Sequence, residues 1–306
     1  MDLRAVLASE LSKLMKVDDK IVVLDADLSK PNGTAPLYKE FPARCFNCGI
    51  AEANMASVAA GLSASGFKPI IVSFAPFATR RIYDQIAVSI AYAKQNVKII
   101  GTDPGITAEL NGGTHMSFED VSLMRSIPNM AVYDVVDEIQ LAQAVSQIMN
   151  YNGNVYVRMA RKSRPVVFDE NYKFTLFKSD VLNEGKDVTI IASGTLVYEA
   201  KEAVKELQNE GISAELISLN TIKPLDEETI LASIKKTNKV VTCENHNLKG
   251  GVYSAICELT AGTYPVMVKG VGVHDEFGQV GKYKELAEVY HLTSKDIIDT
   301  VKEIIK

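Results

Sequence analysis

A carboxylate, two phenylalanines, a histidine and a run of arginines stand in this sequence at places where packing alone does not require them. Glu52 lies in CFNCGIAEANMASVAAGLSASG, at the start of a predicted helix whose following turns are small and apolar. A carboxylate there complements the positive end of a helix. Its small neighbours Ala53, Ala56 and Ala59 also let another surface approach closely. In SFAPFATRRIYDQ, Phe74 and Phe77 flank Pro76 just after an expected strand, and Arg80 and Arg81 follow. Ligands of α/β sheets bind beyond the carboxyl ends of strands, where paired rings either stack on a flat group or pack as plain core. In GITAELNGGTHMSFED, a flexible Asn111, Gly112, Gly113 turn delivers His115 to the mouth of a following helix, a placement suited to proton transfer. In VYVRMARKSRP, Arg158, Arg161 and Arg164 leave a further strand end. They read either as a solvated basic edge or as a phosphate site, since a guanidinium holds phosphate through two parallel hydrogen bonds.

Other chemistries lose their supports. There is no GxSxG, P-loop, HExxH or GxGxxG after a strand, which removes the best signals for hydrolase, nucleoside-triphosphate and dinucleotide sites. Cys45 and Cys48 form a single CxxC, but Cys243 and Cys257 lie apart from each other without clustered histidines, so small buried thiols are expected rather than a metal site on this chain. Glu244 and His246, beside Gly250 and Gly251, are read as a structural or interfacial turn leading into a helix.

The elements that must position these groups alternate in type along the whole chain. Strands are expected at Ile21–Leu24, Pro69–Ser73, Val97–Gly101, Ala131–Tyr133 and Val155–Val157, with helices at Glu52–Ala64, Ile82–Ala93 and Glu138–Met149. A polar, weakly periodic stretch, FDENYKFTLFKSDVLNEGKD, follows and reads as a connection over 168–186. Beyond it strands recur at Val188–Ala192, Ala214–Ser218, Val240–Cys243 and Val266–Gly270, with helices at Val197–Glu210, Glu227–Lys235 and Val252–Leu259. Thr293 with Asp296 predicts a capped final helix. Strands joined by helical crossovers give two three-layer α/β/α domains in series, over 1–167 and 187–306.

Composition agrees with this class. The 306 residues, 47% of them hydrophobic, are enough for two ordinary cores. With 33 Lys and Arg against 38 Asp and Glu, a net charge of -5 and no basic run, a nucleic-acid or polybasic membrane partner is not expected. No apolar run spans a bilayer, and MDLRAVLASELSKLMKVDD reads as an amphipathic helix rather than a signal peptide, so a soluble cytoplasmic protein is expected.

The segments VLDADLSKPNGT, FNCGIAEANM, FAPFATRRIYDQ, ELNGGTHMSFEDVSLMRSIPNM and VRMARKSRP, in this order, resemble the pyrimidine-binding domain of the transketolase family of thiamine diphosphate enzymes. IASGTLVYEA, CENHNLKGGVYSAI and GVHDEFGQVG resemble that family's C-terminal domain, so the likeness covers essentially the whole chain. The resemblance implies that Glu52 hydrogen-bonds a ring nitrogen of the cofactor's aminopyrimidine. That favours the imino tautomer, whose imine takes the proton from the thiazolium carbon and makes that carbon nucleophilic. By the same resemblance Phe77 stacks on the pyrimidine with Phe74 beside it, His115 serves the substrate's oxygens, Arg161 holds the sugar phosphate, and Asp27 falls near the cofactor.

Three positions depart from the family pattern. Asn111 stands where full-length transketolases usually have an aspartate that reads a substrate hydroxyl. Arg80, grouped with the cofactor-binding residues, replaces a tyrosine and is closer to deoxyxylulose-phosphate synthases, yet Pro104 stands where those carry an arginine. A complete transketolase also begins with a diphosphate-binding domain containing GDG and a downstream asparagine, and no GDG occurs here. The resemblance therefore implies the C-terminal subunit of a split transketolase. Magnesium or calcium and the diphosphate would be held by an N-terminal subunit, and the pair would self-associate to a heterotetramer. The implied reaction moves a two-carbon ketol unit from a ketose phosphate to an aldose phosphate. Part of a deoxyxylulose-phosphate synthase, the beta subunit of a 2-oxoacid dehydrogenase, and a non-catalytic homologue that keeps the fold are the alternatives.

Overall fold

A computed structural model describes residues 1–306. Short apolar runs form β1 Ile21–Asp25, β2 Cys45–Asn47, β3 Lys68–Phe74, β4 Lys98–Thr102, β5 Met130–Asp134 and β6 Asn154–Met159. These pair in parallel in the order β5-β6-β4-β3-β1-β2. The central strands are buried along almost their whole length, as sheets covered on both faces require. Parallel neighbours need crossovers, and helices supply them. Leu3–Val17 and Glu138–Asn150 cover one face, while Glu52–Ala64 and the π-helical segment Gln85–Tyr92 cover the other.

The second half repeats the plan with β7 Asp180–Asn183, β8 Val188–Ala192, β9 Ala214–Ser218, β10 Thr221–Lys223, β11 Lys239–Asn247 and β12 Met267–Val273. Its sheet has the order β12-β11-β8-β9-β7, with only β7 antiparallel to its neighbour. The tenth strand does not join it. β10 crosses over and pairs antiparallel with β5, completing the first sheet as a seven-stranded one.

Two three-layer α/β/α units in series are therefore present, and the expected helices and strands are found within a few residues. Three differences are informative. Ile82–Ala93, expected as one helix, is a 3-10 turn at Arg80–Ile82 followed by the π-helical Gln85–Tyr92. β7 lies inside the stretch read as a connection, so the second sheet takes up chain before residue 187. β2, β7 and β10 are three or four residues long and too short for a period to show.

The two units share their interior. One apolar cluster runs from Val22, Met55 and Ile71 to Ile222, Ile230, Val252 and Ile256, and a second takes Ile106, Ala108, Met116 and Phe118 into the core around β8 and β11. Between them lies Arg158, fully buried. Its Nε donates to Asp120 Oδ2 at 2.8 Å, Nη1 to Asp134 Oδ2 at 2.9 Å and Nη2 to the Asn245 carbonyl at 3.0 Å. Ser193 of the second unit donates to the same Asp134 oxygen at 2.9 Å. A buried cation is tolerable only when its donors are satisfied in this way. Arg158 is thus an interior tie and not a phosphate ligand, and Arg164, stacked 4.3 Å over Tyr283, is likewise turned into the protein.

Candidate active site

Each predicted site segment follows the C-terminal end of a parallel strand, which gathers them along one edge of the first sheet: Asp27 after β1, Glu52 after β2, Phe77 after β3, His115 after β4 and Arg161 after β6. Glu52 opens the helix Glu52–Ala64 and is only 4% exposed. Ala51 before it provides no side-chain cap, and the acidic group in the first turn complements the positive end of the helix. β3 stops at Ala75-Pro76, where proline suits a helix start and lacks an N–H for a ladder. That stop sets Phe74 and Phe77 about one turn apart.

His115 packs edge-on against both rings, with centroids 5.8 Å from Phe74 and 5.1 Å from Phe77, and the two phenylalanines are 6.0 Å apart. Arg161 lies 4.6 Å over the Phe74 ring. Asp103 orients it, accepting from both its main-chain N–H, at 2.8 Å, and its Nε. Burial pushes the Asp103 carboxyl above the usual carboxylate range, and the Arg161 charge works against that rise. Phe74, Phe77, His115 and Arg161 are therefore brought together.

The remaining candidates sit differently. Asp27 exchanges hydrogen bonds with Asn47, its N–H donating to Asn47 Oδ1 at 3.0 Å and its Oδ1 accepting from Asn47 Nδ2 at 3.2 Å. Asn111 is exposed at the tip of the His115 loop. Arg80 does not reach Glu52 or Phe77. Its Nη1 donates to Glu119 Oε1 at 2.9 Å and its Nη2 to the Thr114 carbonyl at 3.2 Å, which fastens it to the His115 loop.

The residue that reaches the glutamate is its neighbour, Arg81, which sequence reasoning passed over. Arg81 Nη1 donates to Glu52 Oε1 at 2.7 Å, and its guanidinium lies 3.7 Å over the Phe77 ring. In a 3-10 turn successive side chains diverge by about 120°. The doubled arginine therefore splits, one toward the loop and one toward the glutamate. Asp25 was also passed over. It ends β1, is fully buried with one oxygen unpartnered, and is pushed above the usual carboxylate range by that burial.

This arrangement suits a flat heteroaromatic cofactor. Arg81 shows that a planar N–H donor fits against the Glu52 carboxylate while stacked on Phe77, the pair of contacts that a protonated or imino aminopyrimidine ring would make. No group of three or more His, Cys, Asp or Glu side chains is placed to hold a metal. No helix is long and apolar enough to cross a membrane.

Comparison with known proteins agrees with the fold. Residues 1–166 match the model of the transketolase pyrimidine binding domain and residues 177–297 that of the transketolase C-terminal domain. The chain is 48% identical over 99% of its length to the 6-deoxy-6-sulfo-D-fructose transketolase subunit SqwH of Clostridium sp. (strain MSTE9), covering 94% of that protein. It is 41% identical over 97% of its length to a putative transketolase C-terminal section of Methanocaldococcus jannaschii, again covering 94% of it. A solved structure described as a split gene transketolase, inactive beta4 tetramer, superposes with a TM-score of 0.92 at 41% identity, over 100% of this chain and 98% of that one. Transketolase from Campylobacter jejuni shares the fold, with a TM-score of 0.84 at 22% identity, and this chain spans 46% of it. The chain belongs to the transketolase family, carrying its pyrimidine-binding and C-terminal domains in the manner of the C-terminal subunit of a split transketolase.

Proposed function

We propose that this chain forms the pyrimidine side of a thiamine diphosphate site and, with a partner that carries the diphosphate domain, transfers a two-carbon ketol unit from an anionic ketose to an aldose phosphate. The observation that carries the reading is the joining of Glu52, Phe77, His115 and Arg161 at one sheet edge through a continuous series of ring and charge contacts. When bound, the cofactor supplies a nucleophilic carbon and an electron sink for the broken carbon–carbon bond. This chain does the rest on its side of the site. Glu52 would accept a hydrogen bond from the ring N–H of the protonated or imino pyrimidine in place of the one it accepts from Arg81, and Phe77 would stack on that ring. His115 holds or moves the proton at the sugar hydroxyls, and Arg161, already oriented by Asp103, fixes the terminal anion. The metal, magnesium or calcium, falls to the partner.

The relatives named above and a further one bear on the donor. One acts on 6-deoxy-6-sulfo-D-fructose, and a subunit of the apulose-4-phosphate transketolase of Phocaeicola vulgatus is 34% identical over 97% of this chain. A guanidinium accepts a sulfonate as well as a phosphate, so the Arg161 site takes either anion. In the assembled complex, ketose 6-phosphates and 6-deoxy-6-sulfofructose paired with an aldose phosphate are expected to turn over, and pyruvate with glyceraldehyde phosphate is not. Glu52→Gln, which keeps shape but loses the negative acceptor, is expected to lower kcat by roughly 10²–10⁴-fold. Near-native turnover by Glu52→Gln, or preference for pyruvate, would overturn the reading.

A further inference from the structure

The loop that carries His115 is buried mainly in the other domain. Its apolar residues Ile106, Ala108, Met116 and Phe118 belong to the core cluster of the C-terminal domain, with Phe118 edge-on to Tyr290 at 5.2 Å. The polar fastening is Asn245, near the end of β11 and 2% exposed. Its Oδ1 accepts from the Ile106 N–H at 2.9 Å and its Nδ2 donates to the Pro104 carbonyl at 3.1 Å, so one amide closes both main-chain groups around Gly105. Gly105 has a φ of +56°, and a Cβ there would collide with Asn245 Oδ1. Only glycine permits that approach.

The far end of the loop is held as closely. The Asn247 N–H donates to the Phe118 carbonyl at 3.0 Å, and a Cβ on Gly113 would collide with the Gly278 carbonyl. Asn245 is itself immobilised from beneath, because its carbonyl accepts from Arg158 and that guanidinium is shared between Asp120 and Asp134.

From these contacts we infer that Asn245 is a positioning residue for the transfer reaction, through which the C-terminal domain sets the place of His115. The inference rests on the function proposed above. Glu52, Phe74 and Phe77 are carried by other segments and meet the loop where His115 packs against the two rings, so Asn245 holds the loop without touching the cofactor side. Without the Asn245 amide, the Ile106 N–H is left buried and unpaired and the Pro104 carbonyl keeps only Thr107, whose Oγ1 donates to it at 2.6 Å, and the loop relieves this by shifting toward water. A displacement of about 1 Å at a reacting group is enough to cost about 10²-fold in rate.

The test uses Asn245→Ala and Asn245→Asp in the complex assembled with the diphosphate-domain partner, together with hydrogen–deuterium exchange on this chain alone. Thiamine diphosphate affinity is expected to stay within about twofold. KM for the ketose phosphate is expected to rise about tenfold with a lower kcat, as the reacting histidine moves off its position. Exchange over 104–118 should quicken about tenfold while the two sheets keep native protection. Asn245→Asp, which keeps the acceptor and loses the donor, should fall between. Gly113→Ala, which pushes the loop from its other end, should give the same pattern and serves if Asn245→Ala unfolds. Native exchange over 104–118 and native KM in both Asn245→Ala and Gly113→Ala would overturn the inference. Should the wild-type complex transfer no ketol unit, the functional reading fails, and the exchange data alone decide whether Asn245 fixes the loop.

Discussion

At the scale of single residues, the candidate site was largely readable because its members are misfits. A glutamate among alanines and a histidine beside paired glycines have few packing reasons to be there. Arg81 was not readable, because nothing in a doubled arginine says which one turns inward. Glu244 and His246 illustrate the opposite case, polar residues in the interior with structural work. Both Glu244 oxygens accept from the first amides of the helix Val252–Thr263, at 2.6 Å from Val252 and 2.7 Å from Tyr253. His246 is fully buried, its Nε2 accepting from the Ser122 N–H at 3.4 Å and its Nδ1 2.6 Å from the Asn247 carbonyl. That pairing needs the neutral ring with its proton on Nδ1. Burial accordingly lowers the His246 pKa to about 4. Below about pH 6.5 the unfolded chain takes up a proton here that the folded chain refuses. The His246 contribution is therefore complete above about pH 6.5 and is lost as pH falls through about 4, up to about 3 kcal/mol in all. Denaturant midpoints at about pH 7 and about pH 5 should show a steeper loss for wild type than for His246→Gln, and parallel losses would contradict the assignment.

At the scale of elements, β8 and β9 matched their expected ranges to the residue, since a strand buried on both faces carries apolar residues on both. The helix Glu52–Ala64 matched as well. The short strands did not show, because pairing with a neighbour, and not their own composition, makes them strands. The final helix Ser294–Ile305 joins the two levels. Thr293 accepts from the Asp296 N–H, and the Asp296 carboxylate accepts from the Thr293 N–H at 3.0 Å, the capping box that the spacing predicted. Thr293→Ala removes one half of that exchange and should cost about 1 kcal/mol. In a chain of this size that is a fall in Tm of about 2 °C, measurable by scanning calorimetry. An unchanged Tm would mean that water or Asp296 alone satisfies the helix start.

At the scale of the whole molecule, the surface beside the candidate active-site edge is unusually apolar. The helix that begins with Glu52 exposes Ala53, Ser57, Val58 and Gly61, and next to it Ile50 is 80% exposed. The neighbouring segment Gln85–Tyr92 exposes Val88 and Tyr92. Apolar ground of this kind is rarely left to water, and it continues the sheet edge that would meet a partner carrying the diphosphate domain. Val58→Glu is expected to weaken assembly with that partner at least tenfold without altering the fold, as measured by sedimentation velocity alongside circular dichroism. Equal assembly would place the interface elsewhere.

The crossing of β10 has a consequence for how the chain is made. Residues 1–167 leave the ribosome first, but β5 then presents an open edge, because Thr221–Lys223 has not yet been synthesised. An unpaired edge in a nascent chain is a template for the wrong partner. The first domain can therefore begin to fold early but cannot finish, and its last strand arrives only when about a third of the second domain is already present. Order of synthesis thus ties the domains together in time, before Arg158 and the shared cores tie them in space.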